Sequence, residues 1–151
     1  MAQVIVQAWG ETYRGLISDR ILDDPEFTPA RERQWITVLT DPRFIAHRVA
    51  VAEVNGSIVG VAMSGPGVTE SDPLQLYVLY VVKQWHGSRA GTGLLEAVLA
   101  PGEAATLWVA DPNPRAQAFY RNHGFRPDGL EKVEDDLPVI HMTRADTRDQ
   151  A

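Results

Sequence analysis

The chain has 151 residues, of which 14 are basic, 20 are acidic, none is cysteine and 44% are hydrophobic. A domain of this size buries enough apolar surface to fold without disulfides or a structural metal, and the lack of cysteine excludes a thiolate zinc site and a cysteine nucleophile. The net charge of −6 argues against nucleic-acid binding, which needs a basic surface to displace counterions. We expect one cytoplasmic domain over residues 1–151 with a frayed polar tail over 146–151, since we find no signal-peptide pattern and no membrane-spanning apolar run.

The first forty residues carry apolar side chains at helical spacing and therefore predict helices. A first helix is predicted over residues 4–16, with Gly15 as its stop. A short helical segment follows Ser18, and a longer helix begins at Thr28-Pro29 and ends at Asp41-Pro42.

From Phe44 the pattern changes to that of β-strands. Two β-rich runs, residues 49–54 and 58–61, flank Asn55-Gly56, which is a strong signal for a tight hairpin. A Gly/Pro/Ser-rich loop is predicted over 64–73. Residues 74–82 are continuously apolar or aromatic and predict a central strand buried on both faces.

The second half alternates helices with strands. The predicted elements are a glycine-rich turn over 85–93, a helix over 92–99, a strand over 105–109, a helix over 114–122 that Asn113 caps, and a hairpin from Phe125 that ends with a strand over 139–143. This order predicts an α/β fold with a mixed sheet.

The glycine-rich turn lies where the central strand meets a helix. Unpaired N–H groups at a helix N-terminus bind anions, and glycines let a phosphate approach them closely. The spacing of Gly87, Gly91 and Gly93 fits neither a dinucleotide-binding fingerprint nor a P-loop. Two interpretations stay open at this point: a phosphate site, or a tight turn with close helix packing.

The context of this turn resembles the GNAT superfamily of N-acetyltransferases. The similarity extends over residues 6–144, and its opening helix is similar to one bacterial branch of the superfamily. The residues that carry it are Leu76-Tyr77-Val78-Leu79-Tyr80-Val81, Gly87-x-x-x-Gly91-x-Gly93-Leu94-Leu95, Leu107-Trp108-Val109, Asn113-x-x-Ala116-x-x-Phe119-Tyr120-x-x-x-Gly124-Phe125 and Trp9-x-x-x-Tyr13-Arg14-Gly15-Leu16.

The resemblance implies a GNAT fold, with a mixed and mostly antiparallel central sheet flanked by helices, and acetyl-CoA as the acetyl donor. Members usually begin with an edge strand, but residues 4–9 already read as helical, so we expect that strand to be missing. Tyr120 resembles the tyrosine that protonates the leaving sulfur. The implied acetyl-CoA contacts are Leu79, Tyr80 and Val81 on the strand, His86, Gly87, Ser88, Arg89, Ala90, Gly91 and Thr92 in the turn, and Asn113, Ala116 and Tyr120 on the later helix.

The turn departs from the family pattern at one position. Arg89 stands where the family usually has glycine. A side chain there is unfavourable if the backbone needs a positive φ, although its charge suits a phosphate.

The predicted acceptor is a primary amine of a small molecule or peptide, which attacks directly in a ternary complex. Trp9, Tyr13 and Gln75 are the predicted acceptor-binding residues. Gln75 stands where related sequences have a glutamate, and glutamine is no useful base. We therefore expect deprotonation through ordered water, with no dedicated strong base, and regard Glu11, Asp72, His123 and His141 as surface or packing residues.

The remaining expectations concern ligands, partners and the alternative function. The histidines have no metal-ligand spacing, so no metal is expected. The acidic run over 131–136 either selects a cationic amine or is a solvated loop. A homodimer could cover the incomplete sheet edge, and a non-catalytic acyl-CoA-binding module is the alternative function, motivated by Gln75 and Arg89.

Overall fold

A computed structural model of the chain describes residues 27–42, 46–67, 72–134 and 136–147. Its helices are α1 (Phe27–Thr40), α2 (Ala90–Val98) and α3 (Pro114–Asn122), with a short 3₁₀ turn at Lys83–Trp85. Its strands are β1 (Arg48–Val54), β2 (Ser57–Gly65), β3 (Leu74–Val81), β4 (Ala105–Ala110), β5 (Arg126–Glu134) and β6 (Leu137–Arg144). The predicted opening helix and the predicted loss of a first strand lie outside the described residues. No helix in the described ranges is long and apolar enough to cross a membrane.

The strands form one mixed sheet in the order β1-β2-β3-β4-β6-β5. Every neighbouring pair is antiparallel except β3 and β4, which are parallel. The predicted fold class, a mostly antiparallel sheet flanked by helices, is confirmed. The predicted hairpin is confirmed as well, with positive φ at both Asn55 (51°) and Gly56 (82°).

Each face of the sheet carries its own apolar cluster. On the first face, α2 and α3 pack their side chains on the sheet around the fully buried Phe125, Leu107 and Met142. On the second face, Trp35 of α1 is 5% exposed and packs with Val61. A smaller cluster beside it joins residues of β4 and β6 with Tyr80 and Trp108.

Several element boundaries differ by one or more residues from those predicted, and two of them bear on the site. β2 continues to Gly65, past the expected loop start at Ser64, because Ser64 is fully buried and its hydroxyl donates to the Val98 carbonyl at 2.6 Å. α2 begins at Ala90 rather than Thr92.

The prediction that the central strand is buried on both faces is wrong. Within β3 only Leu76 is buried, and Tyr77 is 40% exposed. Met63 of β2 pairs with Val78 and Ser64 pairs with Leu76, so Tyr77 is an extra residue in β3, a β-bulge. The second half of β3 has no partner strand on the β4 side and is therefore only partly buried.

The bulge coincides with the end of the parallel pairing. The last β3–β4 pair is Leu76 with Leu107, and the strands diverge from there on. A bulge bends its strand and increases the local twist, so β3 turns away from β4. A gap therefore opens between the carboxyl-terminal halves of the two strands.

The helices that follow these two strands begin at the same edge of the sheet. Because β3 and β4 are parallel, the chain leaves both at one edge, where α2 and α3 start. At the other end of the helices, Arg144 of β6 donates to the carbonyls of Ala100 (3.1 Å), Glu103 (2.9 Å) and His123 (3.2 Å). One side chain thus holds the C-terminal ends of both helices.

Candidate active site

A cavity of about 570 Å³ occupies the gap between β3 and β4. Its walls are the second half of β3, the turn that follows it, β4 and one side of α3. Leu107 and Val109 line it from the helical face of the sheet, whereas Tyr80 and Trp108 belong to the cluster on the second face. The cavity is therefore lined from both faces of the sheet.

The turn between β3 and α2 folds tightly over one mouth of the cavity. Gly87 has φ 80°, and Arg89 has φ 71° and ψ 1°, the left-handed conformation. His86 Nε2 lies 2.8 Å from the Val81 carbonyl oxygen, and this contact ties the turn to the end of β3. Arg89 therefore adopts the backbone conformation that glycine favours.

The N-terminus of α2 faces the cavity through Gly91 and Thr92. The first helical hydrogen bond runs from the Gly93 N–H to the Arg89 carbonyl at 3.0 Å. The N–H groups of residues 89–92 precede that bond, so helix geometry leaves them available for an anion.

The charge at this mouth is opposite to that of the chain. Arg89 and Arg115 line the cavity, and no Asp or Glu is found among its described lining residues. Neither arginine forms an ion pair within the described part of the chain. In a chain of net charge −6, a cavity whose described lining carries cations and no acids has a local charge that favours an anionic ligand.

Thr92 also connects the two helices. Its hydroxyl lies 3.3 Å from His123 Nε2, and the His123 ring lies 4.6 Å from the ring of Phe119. Burial lowers the pKa of His123; the nearby Arg144 lowers it further, while Glu96 acts in the opposite direction. Both ring contacts therefore suit a neutral imidazole.

α3 brings Tyr120 and Asn113 to the cavity. Tyr120 is 8% exposed and packs edge-on against Phe119 and Phe125. Asn113 Oδ1 accepts the Ala116 N–H at 3.3 Å, which confirms the predicted N-cap.

Comparison with known proteins identifies the family of this fold. Residues 32–145 match the family described as acetyltransferase (GNAT) domain. The chain belongs to the GNAT acetyltransferase family. This confirms the resemblance to GNAT proteins, while the motif of the opening helix lies outside the described residues and stays a prediction.

The GNAT relatives include two mycobacterial proteins. An uncharacterized N-acetyltransferase of Mycobacterium bovis is 36% identical over 111 residues, which cover 70% of this chain and 66% of the relative. A probable N-acetyltransferase of Mycobacterium tuberculosis is 33% identical over 81 residues, 52% of this chain and 47% of the relative. The aligned part is thus less than two thirds of either relative's length.

Solved GNAT structures share the fold. PaiA N-acetyltransferase from Thermoplasma acidophilum, solved in complex with coenzyme A, superposes with a TM-score of 0.68 at 15% identity and covers 93% of this chain and 88% of its own. Ribosomal-protein-alanine N-acetyltransferase from Brucella melitensis gives 0.66 at 20% identity, with 95% and 93% covered. At these identities the likeness concerns the fold alone.

The structure brings most of the predicted GNAT site residues together. Ser88 and Ala90 lie in the same turn without lining the cavity, and Gln75 lies before the bulge, paired with Gly65 and Thr106. Trp9 and Tyr13 are outside the described residues. Those that line the cavity are Leu79, Tyr80, Val81, His86, Gly87, Arg89, Gly91, Thr92, Asn113, Ala116 and Tyr120.

Sequence reasoning missed several cavity residues. Trp85 follows β3 directly, and Arg115 and Phe119 lie on α3 with Ala116 and Tyr120. The i, i+3 and i+4 spacing of Ala116, Phe119 and Tyr120 marks one side of the helix and could have predicted Phe119. No sequence pattern predicted that Arg115 lines the cavity, because this depends on how the start of α3 lies relative to β3 in the folded protein.

Proposed function

We propose that this protein is an N-acetyltransferase that transfers an acetyl group from acetyl-CoA to a primary amine by direct attack in a ternary complex. The observation that carries the proposal is a cavity with Arg89, Arg115 and two helix N-termini along its lining and no Asp or Glu among its described residues, in a chain of net charge −6. Family membership supports it, since the described cavity occupies the gap in the GNAT sheet.

The residues present fit acetyl-CoA. The N–H groups at the start of α2 and the guanidinium of Arg89 suit a pyrophosphate, and Gly91 leaves space for its approach. A volume of about 570 Å³ lies within the usual range for small-molecule sites. When bound, acetyl-CoA supplies an activated thioester.

The remaining roles fall to β3 and α3. Main-chain N–H groups of residues 79–81 that point into the gap stabilise the negative charge that develops on the acetyl oxygen. Tyr120 donates its hydroxyl proton to the leaving sulfur. The sequence contains no cysteine, so no acyl-cysteine forms on the protein.

One experiment separates this function from a non-catalytic acyl-CoA-binding module. The protein is incubated with acetyl-CoA and a panel of amines, and free CoA thiol is followed with a thiol-reactive dye while calorimetry gives the CoA affinity. CoA release that depends on an amine supports the enzyme. Tight CoA binding without release across the panel would establish the binding module instead.

Tyr120→Phe tests the proton donor. We expect the rate of CoA release to fall by about 10²-fold or more, because a positioned general acid contributes about that much, while CoA affinity stays unchanged. Tyr77→Phe is the control: it also removes a hydroxyl from a cavity-lining tyrosine, but that hydroxyl is engaged by the Pro66 carbonyl, so turnover should be retained. Equal rates for Tyr120→Phe and the parent protein would remove Tyr120 from this role.

A further inference from the structure

A histidine–aspartate pair lies on the second face of the sheet, where His141 contacts Trp108, a residue that lines the cavity. His141 Nδ1 and Asp128 Oδ2 are 2.6 Å apart, and the two side chains are 15% and 29% exposed. Building on the acetyltransferase function proposed above, we propose that His141, and not the ordered water expected from the sequence, accepts the proton of the attacking amine, with Asp128 as its positioning residue.

The carboxylate of Asp128 is held at both oxygens. Oδ2 meets the His141 ring, and Oδ1 accepts the Leu130 N–H at 3.0 Å. Burial acts to raise the pKa of Asp128, but the hydrogen bonds from Leu130 and His141 outweigh it and lower that pKa. An ionised carboxylate favours the tautomer with a proton on Nδ1, and this leaves the lone pair of Nε2 for the substrate.

The location of His141 suits an amine that approaches from the second face. His141 is paired with Trp108 across β4 and β6, and their ring centroids are 4.7 Å apart. Trp108 lines the cavity where it reaches this face. An amine that enters the gap beside Trp108 comes from the side opposite the helices and passes next to His141, which lies behind Trp108 and does not itself line the cavity.

Other charged and titratable groups around His141 are already engaged. Lys132 of β5 lies 4.3 Å from the centre of the Trp108 ring, and its charge is offset by Glu134 at 2.8 Å. Arg126 donates to the carbonyls of Arg121 and Phe125. On the side of β3, Tyr80 packs in the same cluster as Trp108.

The groups named account for every proton transferred in the reaction. An ammonium gives one proton to Nε2 of His141, and the free amine then attacks the carbonyl carbon so that a C–N bond forms and the C–S bond breaks. Tyr120 protonates the sulfur and regains a proton from the nitrogen. His141 releases its proton to water, so the net products are an amide, a thiol and one proton.

The test combines pH–rate profiles with the tautomer of His141 measured by ¹⁵N NMR in the unliganded protein. We expect an acid limb in the pH profile of kcat/KM of the parent, because the reaction needs an unprotonated base. His141→Gln should lose about 10²-fold or more in kcat together with that acid limb, while CoA affinity is retained. Asp128→Asn should move the ring proton from Nδ1 to Nε2 and lower kcat with the imidazole still present.

Glu131→Gln is the matched control for Asp128→Asn. It removes a carboxylate from the same strand, but Glu131 is paired with Ile140 and so faces the other side of the sheet. It should leave both the pH profile and the His141 tautomer unchanged.

Two results would overturn the proposal in distinguishable ways. If His141→Gln retains kcat within tenfold and the parent's pH profile, His141 is not the base, although the acetyltransferase function stands. If the parent itself releases no CoA with any amine while it binds CoA tightly, both proposals fall together.

Discussion

At the residue scale, Arg89 combines a backbone conformation that disfavours side chains with a charge at the cavity mouth. Its φ is 71°, and a non-glycine residue in this region costs about 1–2 kcal/mol. The side chain makes no capping hydrogen bond to α2. Arg89 therefore contributes little to the stability of the free protein, and its guanidinium is available for a ligand.

Two substitutions at Arg89 separate strain from charge. Arg89→Gly should raise the free energy of unfolding by about 1 kcal/mol and weaken CoA binding, since it relieves the backbone but removes the cation. Arg89→Ala keeps the backbone strain, so it should weaken CoA binding without raising the free energy of unfolding. Urea unfolding and calorimetry at low and high salt measure both effects; CoA affinity unchanged in both variants would exclude a role for this charge.

At the element scale, the first turn of α2 contains two glycines that have different surroundings. Gly91 lines the cavity, and a Cβ added there would lie 3.4 Å from the ring of Phe119. A Cβ at Gly93 would meet nothing within 4 Å, and Gly93 does not line the cavity. The helix would tolerate alanine at either position, but only one of them contacts the proposed ligand site.

Gly91→Ala and Gly93→Ala form a matched pair. Alanine is favoured over glycine in helices by about 1 kcal/mol, so neither variant should be less stable than the parent in thermal unfolding. We expect Gly91→Ala to weaken CoA binding about tenfold, equivalent to about 1.4 kcal/mol, and Gly93→Ala to leave it unchanged. Equal CoA affinities in the two variants would contradict our assignment of the phosphate turn.

At the scale of the whole molecule, Arg144 links the last strand to both helices of the first face. Its three carbonyl partners lie at or just beyond the C-terminal ends of α2 and α3, where a positive charge also favours the helix dipoles. The opposite ends of the same helices form the cavity mouth. The orientation of the site thus depends on a residue at the far end of the helices.

Arg144→Met tests this link. It should lower the free energy of unfolding by about 2–4 kcal/mol, because it leaves several carbonyls without their charged donor. Arg144→Lys should recover only part of that loss, since an ammonium does not span three acceptors. Arg126→Met is the control, because Arg126 is an exposed arginine that also donates to backbone carbonyls. It should change the free energy of unfolding by less than about 1 kcal/mol in denaturant unfolding. A loss as large as that of Arg144→Met would argue against a special role for Arg144.

Local sequence signals predicted most of the fold, and long-range register accounts for what they missed. Asn55-Gly56 and Asn113-Pro114 fix backbone geometry within a few residues, and both elements were predicted correctly. The contact between Asp128 and His141 depends instead on a register shift between β5 and β6, which no local pattern encodes. The three partners of Arg144 are likewise distant in sequence, at 21, 41 and 44 residues.

The bulge at Tyr77 changes which residues of β3 face the helices: even-numbered ones before it and odd-numbered ones after it. Before it, the even-numbered Leu76 packs in the cluster under the helices; after it, the even-numbered Tyr80 lies on the opposite face and the odd-numbered Leu79 packs under the helices. A one-residue deletion or insertion within this strand would exchange these two sets and move the cavity wall into the core. The strand therefore constrains its length more strictly than the identity of its residues, so relatives of this chain should vary in amino acid here but keep the spacing between Leu76 and the glycine-rich turn.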